Sequence, residues 1–119
     1  MNDSLRAELL QRYLEMARPV VLHGDLVVLA VQLAYRDWSA LAGVALEALA
    51  RRSRNGVAML YVSEDNKGVA LVRSTKGVDV ANLARHHGGG GGSNQAAFNL
   101  PLDKWHALHT TTPVLKGNH

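Results

Sequence analysis

The sequence predicts an α/β fold: a single domain with a mixed β-sheet of about four to five strands, packed by about three to four helices. Two observations lead to this expectation. The chain has 119 residues, 47% of them apolar, which suits one domain with its own core. Along the chain, segments with helical spacing of apolar residues alternate with short apolar runs, and one pair of runs flanks a hairpin-like turn.

The first elements are a helix and one or two strands. Leucines at spacings of three and four predict a helix that ends near Ala17, with Asp3 or Ser4 as its cap and a proline shortly after its end. The apolar runs 20–22 and 26–32 predict either a hairpin or one strand preceded by an extended segment. The second run is continuously apolar, which is typical of a strand covered on both faces.

The middle of the chain predicts a helix followed by a hairpin. Asp37 is suited to cap a helix over residues 38–52, which has one apolar face. Residues 57–62 and 69–73 predict two strands, and the polar turn between them, which contains Asn and Gly, favours antiparallel pairing.

The last third is organised around a run of five glycines. The predicted elements are a helix over 80–87 capped by Asp79, the glycines at 88–92, a strand over 96–100, a short segment over 104–108 and a flexible tail over 110–119. We therefore expect the domain to occupy residues 1–109.

Composition excludes several kinds of protein. The chain has no cysteine, which excludes disulfides, thiolate catalysis and cysteine-ligated metal sites. It has no apolar stretch of the roughly 18 residues that cross a membrane, and its first residues lack the pattern of a signal peptide. These features predict a soluble, cytoplasmic protein that does not bind a membrane.

The net charge of +3 is unevenly distributed. Residues 51–92 contain seven bases against three acids, whereas the rest of the chain has a slight excess of acids. This pattern is typical of a surface that faces a polyanion. For Arg51, Arg52 and Arg54 the alternative is that they solvate the end of a helix and interact with its dipole.

The glycine run is the strongest single feature. Glycine loses more backbone entropy on folding than any other residue, and an ordinary connection needs only one or two. Such a run can bring backbone N–H groups close to a phosphate, although no Lys-Ser/Thr follows it as in the phosphate loop of ATPases. The alternative is a flexible linker.

Three sequence blocks together resemble one known family. They are Leu71-Val72-Arg73-Ser74, the segment Gly77 to Ala84, and the segment Gly88 to Phe98. In sequence and spacing they are similar to the DHH-associated domain (subtype one), the C-terminal substrate-binding module of DHH-type phosphoesterases. These enzymes include RecJ-like exonucleases and oligoribonuclease/pAp phosphatases, and a related domain ends alanyl-tRNA synthetases. The resemblance covers about Leu5 to Leu102.

The resemblance implies a ligand-binding site. It implies that Arg73 contacts a phosphate or carboxylate with Ser74 beside it, that the glycines wrap close to a nucleotide, and that Asn94 fixes the loop or binds the ligand. From the residues alone, Arg73 can equally be an exposed strand residue, and Asn94 a helix cap. The expected site residues are Arg73, Ser74, Gly88, Gly89, Gly90, Gly91, Gly92, Ser93 and Asn94, with His86 and His87 as additional candidates.

The chain departs from the family pattern in two places. Gly92 stands where the family usually has a histidine that helps to hold the ligand, and Ala97 stands where it has a glycine. The chain also lacks the Asp-His-His motif. We therefore expect no catalytic residues, no metal site and no cofactor here, because the manganese of such enzymes would belong to an absent catalytic domain.

Other residues that can carry chemistry have simpler explanations. His106 and His109 can share a helix face and ligate a transition metal, but ordinary surface or packing roles are the simpler expectation. Trp38 and Trp105 can stack on bases, whereas their positions in apolar segments favour core packing.

Three functions follow, in order of preference. The first is a module that binds a short single-stranded RNA or DNA, or a small nucleotide, without hydrolysing it. The second is a fragment or split subunit of a manganese-dependent DHH-type phosphoesterase, partnered by a DHH catalytic domain. The third is a ligand-free domain that oligomerises, for example as a homodimer.

Overall fold

A six-stranded sheet with helices on both faces forms the domain. The computed structural model describes residues 2–22 and 24–110. The helices are α1 (Asp3–Met16), α2 (Trp38–Arg52), α3 (Val80–His86) and α4 (Leu102–Thr110), with a 3-10 turn at Tyr35–Asp37 before α2. The strands are β1 (Arg18–Val21), β2 (Val27–Gln32), β3 (Val57–Glu64), β4 (Lys67–Ser74), β5 (Gly90–Gly91) and β6 (Gln95–Asn99).

The strand order across the sheet is β1-β2-β3-β4-β6-β5. β2 and β3 are parallel and are joined by α2, while all other neighbours are antiparallel. A parallel pair needs a crossover connection, and α2 supplies it. β3 and β4 form one hairpin, β5 and β6 form another, and α3 connects the two hairpins. β6 pairs with β4 and so extends the sheet on that side.

Two hydrophobic cores lie on opposite faces of the sheet. On the α2 side, α1 and α2 pack on β2 and β3; the buried residues there are Tyr13, Leu14, Val31, Leu33, Leu41, Ala45, Leu46, Leu49, Ala50, Ala58 and Leu60. On the other side, which we call the α3 side, α3 and α4 cover the sheet with a larger cluster that includes Met59, Tyr61, Val72, Phe98 and Trp105. β3 contributes to both cores, as expected for a strand buried on both faces.

The expected α/β class is confirmed, with one strand more than expected. The additional strand is β5, which is made of glycine. Residues 18–21 and 27–32 form the antiparallel hairpin rather than a single strand, and Pro19 lies in edge strand β1, where a missing N–H is tolerated. The last helix is longer than the expected segment over 104–108. Most of the expected tail, residues 111–119, lies outside the described residues.

The structure confirms the predicted cap of α3 and corrects the predicted cap of α1. Asp79 caps α3 by accepting hydrogen bonds from the N–H groups of Ala81 and Asn82, as expected. The cap of α1 is Asn2, one residue before the expected Asp3, and its side chain accepts from Leu5 N at 2.8 Å. No helix in the described part of the chain is long and apolar enough to cross a membrane.

Asp37 holds the expected position before α2 but has a different role. Its side chain makes no cap hydrogen bond. Instead the Tyr13 hydroxyl donates to Asp37 Oδ2 at 2.6 Å and accepts from Ala34 N at 3.1 Å. This buried contact fastens α1 to the 3-10 turn. Burial and the hydrogen bond to Asp37 raise the pKa of Tyr13 above its ordinary value, and burial followed by the charge of Asp103 raises the pKa of Tyr61.

Replacing Tyr13 by phenylalanine tests this contact. Y13F removes one donor and one acceptor from a buried site, so we expect a loss of about 1–3 kcal/mol in the free energy of unfolding, measured in urea. The pKa of Tyr13 is higher in the folded chain than in the unfolded one. The hydroxyl's contribution to the free energy of unfolding is therefore complete below about pH 10 and is lost as the pH rises above that value. The free energy of unfolding should therefore fall less steeply with rising pH in Y13F than in the unmodified chain. Y35F, which removes an exposed hydroxyl, is the control and should match the unmodified chain.

Candidate functional site

The outer half of the sheet is only partly covered on the α2 side, where Leu71 of β4 still packs against the edge of the α2-side core. Ala70, Val72, Ala96 and Phe98 belong to the α3-side core, so the alternate residues of β4 and β6 face the other way. These alternate residues form three cross-strand pairs: Arg73 with Gln95, Leu71 with Ala97, and Val69 with Asn99. Gln95, Asn99 and Val69 are exposed, and the other three are half-buried. We call these six residues the open face.

Arg73 is fixed at one end of the open face by two side chains. Its Nη1 donates to Gln95 Oε1 at 2.9 Å, and its Nε lies 2.6 Å from Glu47 Oε1 on α2. The Nε is buried and has no well-aligned hydrogen bond despite this ion pair. Glu47 also pairs with Arg51 at 3.1 Å, so the three charged groups carry one net positive charge.

The arrangement leaves Arg73 with capacity to bind an anion. Its side chain is 30% exposed, and no described residue accepts a hydrogen bond from its Nη2. A guanidinium held in place by a carboxylate and an amide is oriented before a ligand arrives, which reduces the entropy lost on binding.

The glycine run is part of the folded sheet, not a free linker. Gly88 N and Gly89 N donate to the carbonyls of Arg85 and Ala84 at 3.1 and 2.8 Å, which closes the end of α3. Gly90 and Gly91 form β5, and Gly92 N donates to Gln95 O at 2.8 Å. In an antiparallel ladder, hydrogen-bonded and non-hydrogen-bonded pairs alternate, so the N–H of Gly91 points out of the free edge of the sheet.

Only some of the glycines are required by the fold. A Cβ on Gly89 would collide with the backbone carbonyl of Ala97 and with Phe98, and Gly88 and Gly91 have φ values of +83° and +144°. Gly90 and Gly92 have neither constraint: nothing lies near a Cβ at Gly90, and at Gly92 the nearest atom is 3.7 Å away. The backbone would accept other residues at these two positions.

Ser93 and Asn94 form the turn beside Arg73. The carbonyl of Asn94 accepts from Ser74 N and that of Ser93 accepts from Val80 N, both at 2.9 Å. Asn94 is not a helix cap, because Gln95 begins strand β6. These bonds fix the turn against β4 and α3 and leave both side chains exposed.

Ser74 does not share a surface with Arg73. Successive strand residues face opposite sides, and the Ser74 side chain is on the α3 side, 4% exposed, with an Oγ that has no hydrogen-bond partner in the structure. His87 also lies on the α3 side, where its ring stacks on Phe98 with centroids 4.5 Å apart. His86 is the last residue of α3. The structure therefore places Arg73 next to the Ser93–Asn94 turn, through the Arg73–Gln95 pair and the Ser74–Asn94 backbone hydrogen bond, and places the side chains of Ser74 and His87 on the α3 side.

A cavity at the opposite end of the open face was not expected from the sequence. It has a volume of about 630 Å³ and lies between Tyr35, the Val69–Asn99 pair, Pro101 and the turn between β3 and β4. Tyr35 is 61% exposed and Val69 is 40% exposed. No local pattern around Tyr35 indicates this cavity, because its walls come from segments up to 66 residues apart in the chain.

Two of the other candidate residues, Trp105 and His109, serve packing, whereas His106 is exposed. Trp105 is buried and stacks on Tyr61 with centroids 4.6 Å apart. His109 packs edge-on against Trp105, and its Nδ1 lies 3.1 Å from the Trp105 carbonyl. Within residues 2–22 and 24–110, no three His, Asp or Glu side chains come together in a way that could hold a metal ion. The side-chain donors in this part of the chain therefore do not form a site that fits manganese.

Comparison with known proteins identifies similar folds. The DHHA1 domain family matches residues 25–109. Among solved structures, a pGpG-specific phosphodiesterase from Vibrio cholerae has a TM-score of 0.57 and 10% identity over 90% of this chain and 37% of its own. An exopolyphosphatase-related protein from Bacteroides fragilis has a TM-score of 0.59 and 14% identity over 98% of this chain and 37% of its own.

A third structure is a DHH domain described as a member of the s1p family of ribosomal proteins, with a TM-score of 0.54 and 15% identity over 95% of this chain and 31% of its own. This chain thus spans about a third of the length of each of these proteins. A search of curated proteins found no match. At these identities the likeness establishes the shared fold.

The packing of the glycine run can be tested by two neighbouring substitutions. G89A places a methyl group against the backbone of β6, so we expect a loss of about 1–3 kcal/mol or more in the free energy of unfolding. G90A meets no atom, and its effect should be within about 0.5 kcal/mol. Urea unfolding of both variants checks this. Equal stabilities would contradict the pairing of β5 with β6.

Proposed function

Because this chain belongs to the DHHA1 family, we propose that it is the ligand-binding module of a DHH-type phosphoesterase and that it holds a phosphate group of a short single-stranded RNA or DNA, or of a small nucleotide. The observation that carries the proposal is that Glu47 and Gln95 hold Arg73 at one end of the open face, where its Nη2 still has donor capacity. The Gly91 N–H and the Ser93–Asn94 turn lie at the same end.

Other positive charges gather at this end of the sheet. Arg51 and Arg52 lie in the last turn of α2. Lys76 Nζ donates to the Arg54 carbonyl at 3.3 Å, and Thr75 N bonds to Gly56 O, which ties these residues to the end of β4 that carries Arg73. Several cations around one guanidinium raise the local concentration of a polyanion and make its binding sensitive to salt.

We propose that hydrolysis belongs to a DHH catalytic domain that would also hold the manganese. This chain covers only 31% to 37% of each of the three similar structures, and one of them is named as a phosphodiesterase for pGpG. In this proposal the present chain supplies recognition of the ligand's phosphate and backbone, and the partner domain supplies the reacting groups.

The first test is the loss of Arg73. A 5′-phosphorylated RNA trinucleotide, titrated at about 50 mM and about 200 mM salt, should bind more weakly at the higher concentration. R73A removes charge-assisted hydrogen bonds of about 1.5–3 kcal/mol, so we expect affinity to fall at least about 10-fold. R85A removes the same charge from α3, on the other side of the sheet, and is the control. Similar affinities in R73A and R85A would refute the site.

Restoring the family histidine is the second test. Gly92 has room for a side chain, and its φ lies outside the left-handed region. G92H should therefore fold normally and add one ligand contact, raising the affinity for the same trinucleotide about 2- to 10-fold. G92A is the matched control, with a side chain but no imidazole, and should bind like the unmodified chain. An equal gain in G92A would assign the effect to the backbone instead.

A further inference from the structure

We propose that the open face binds an oligonucleotide lengthwise, with a phosphate at Arg73 and a base in the cavity beside Tyr35. This inference rests on the proposed function and narrows its ligand from any small nucleotide to a strand of two or more nucleotides. Its starting point is that the two ends of the same open face differ in chemistry: one is cationic, and the other combines an exposed aromatic ring with a net negative charge.

The distance between the two ends exceeds the reach of one nucleotide. Val69 belongs both to the open face and to the wall of the cavity. It lies on the same side of β4 as Arg73 and precedes it by four residues. At about 3.3 Å per residue this separates them by about 13 Å. The cavity continues from Val69 to the turn at Asp65, still further from Arg73. A mononucleotide held by its phosphate at Arg73 would leave most of the cavity empty.

The cavity suits a base rather than a second phosphate. Its charged wall residues are Glu64, Asp65 and Lys67, which give a net negative charge that disfavours an anion. Tyr35 offers an exposed ring, and base–aromatic stacking is the usual way in which proteins hold single-stranded nucleic acids without reading sequence. Asn99 offers an amide that has no hydrogen-bond partner among the described residues and can bond to the edge of a base.

Exposed apolar side chains concentrate around the open face. The large ones in the described part of the chain are Leu5, Met16, Tyr35, Val44 and Val69. Tyr35 and Val69 line the cavity. Val44 precedes Glu47 by three residues, so it lies on the same side of α2 as the carboxylate that contacts Arg73. Clustered exposed apolar residues mark an interaction surface more often than scattered ones do.

The middle of the open face leaves a path between its ends. It is formed by the half-buried pair Leu71 and Ala97: Leu71 packs against the edge of the α2-side core, and beside it Ala97 projects only a methyl group from the sheet. On the side away from α2 it is bordered by β5, whose glycines have no side chains. A strand of sugars and bases can therefore cross from Arg73 to Tyr35 over an apolar floor.

The dependence of affinity on ligand length tests this inference. The probes are 5′-phosphorylated oligoadenylates of one, two, three and four nucleotides, titrated into the unmodified chain and into Y35A, Y35F and R73A. We expect affinity to rise with length in the unmodified chain. Y35A should lose about 5-fold or more for the longer probes and nothing for the mononucleotide, because stacking on one base is worth about 1–3 kcal/mol. Y35F retains the ring and should keep the gain with length.

Two further variants show whether the loss of affinity in Y35A is specific to the cavity. R73A should weaken binding at every length, because it removes the contact that all probes share. M16A removes an exposed apolar side chain of α1 and should bind every probe like the unmodified chain. Tyr35 is exposed, so its substitution leaves the cores intact.

The outcomes distinguish this inference from the proposed function. If the mononucleotide binds through Arg73 but added nucleotides give no gain, or Y35A leaves the gain unchanged, the lengthwise path is wrong and the phosphate site stands. A loss in Y35A that is equal at all lengths also overturns the path. If no probe binds at any length, the proposed function fails, and the open face is better explained as an interface with another protein.

Discussion

The burial of strand β3 on both faces is the constraint on which the rest of the structure depends. Residues 57–62 are all buried, with Ala58 and Leu60 in the α2-side core and Met59 and Tyr61 in the other. Such a strand must have neighbours on both edges, because its N–H and C=O groups have no access to water. β2 and β4 supply those neighbours, and α2 on one side with α4 on the other completes the cover. Each remaining element is positioned relative to this strand.

The same constraint explains why the sheet has an open face. α2 lies over β3 and reaches β4, where Leu71 packs against the α2-side core and Glu47 pairs with Arg73. A single helix about 10 Å wide cannot also cover β6. α1 packs beside α2 toward β2 rather than toward β6, so the α2 side of the outer strands is only partly covered, while α3 and α4 close the opposite side. The ion pair between Glu47 and Arg73 lies where this cover ends. Helix α2 thus serves both the core, through Leu41, Leu46 and Leu49, and the candidate site, through Glu47.

The candidate site shows which of its features the sequence could predict. The motif blocks predict Arg73 and the Gly88–Asn94 segment, and the structure places Arg73 next to the Ser93–Asn94 turn of that segment. Its partners Glu47 and Gln95 were not identified, because they are distant in sequence and meet Arg73 only through helix packing and strand register. The orientation of Ser74 follows from strand alternation: with Val72 in the core on the α3 side, Ser74 must face that side too. Alternation would have separated it from Arg73 at the outset.

The sequence by itself determined the features that depend on neighbouring residues: the fold class, most element boundaries, the cap at Asp79 and the hairpin between β3 and β4. Helical and strand periodicity and side-chain capping act over a few residues and can be read locally. Tertiary structure alone decided that Asp37 bonds to Tyr13, that two glycines become an edge strand, and that Tyr35 borders a cavity. Glycine has no side-chain pattern that could predict a strand, and β5 exists because β6 pairs with it. These features arise where segments far apart in the chain meet, and only the packing of the sheet brings them together.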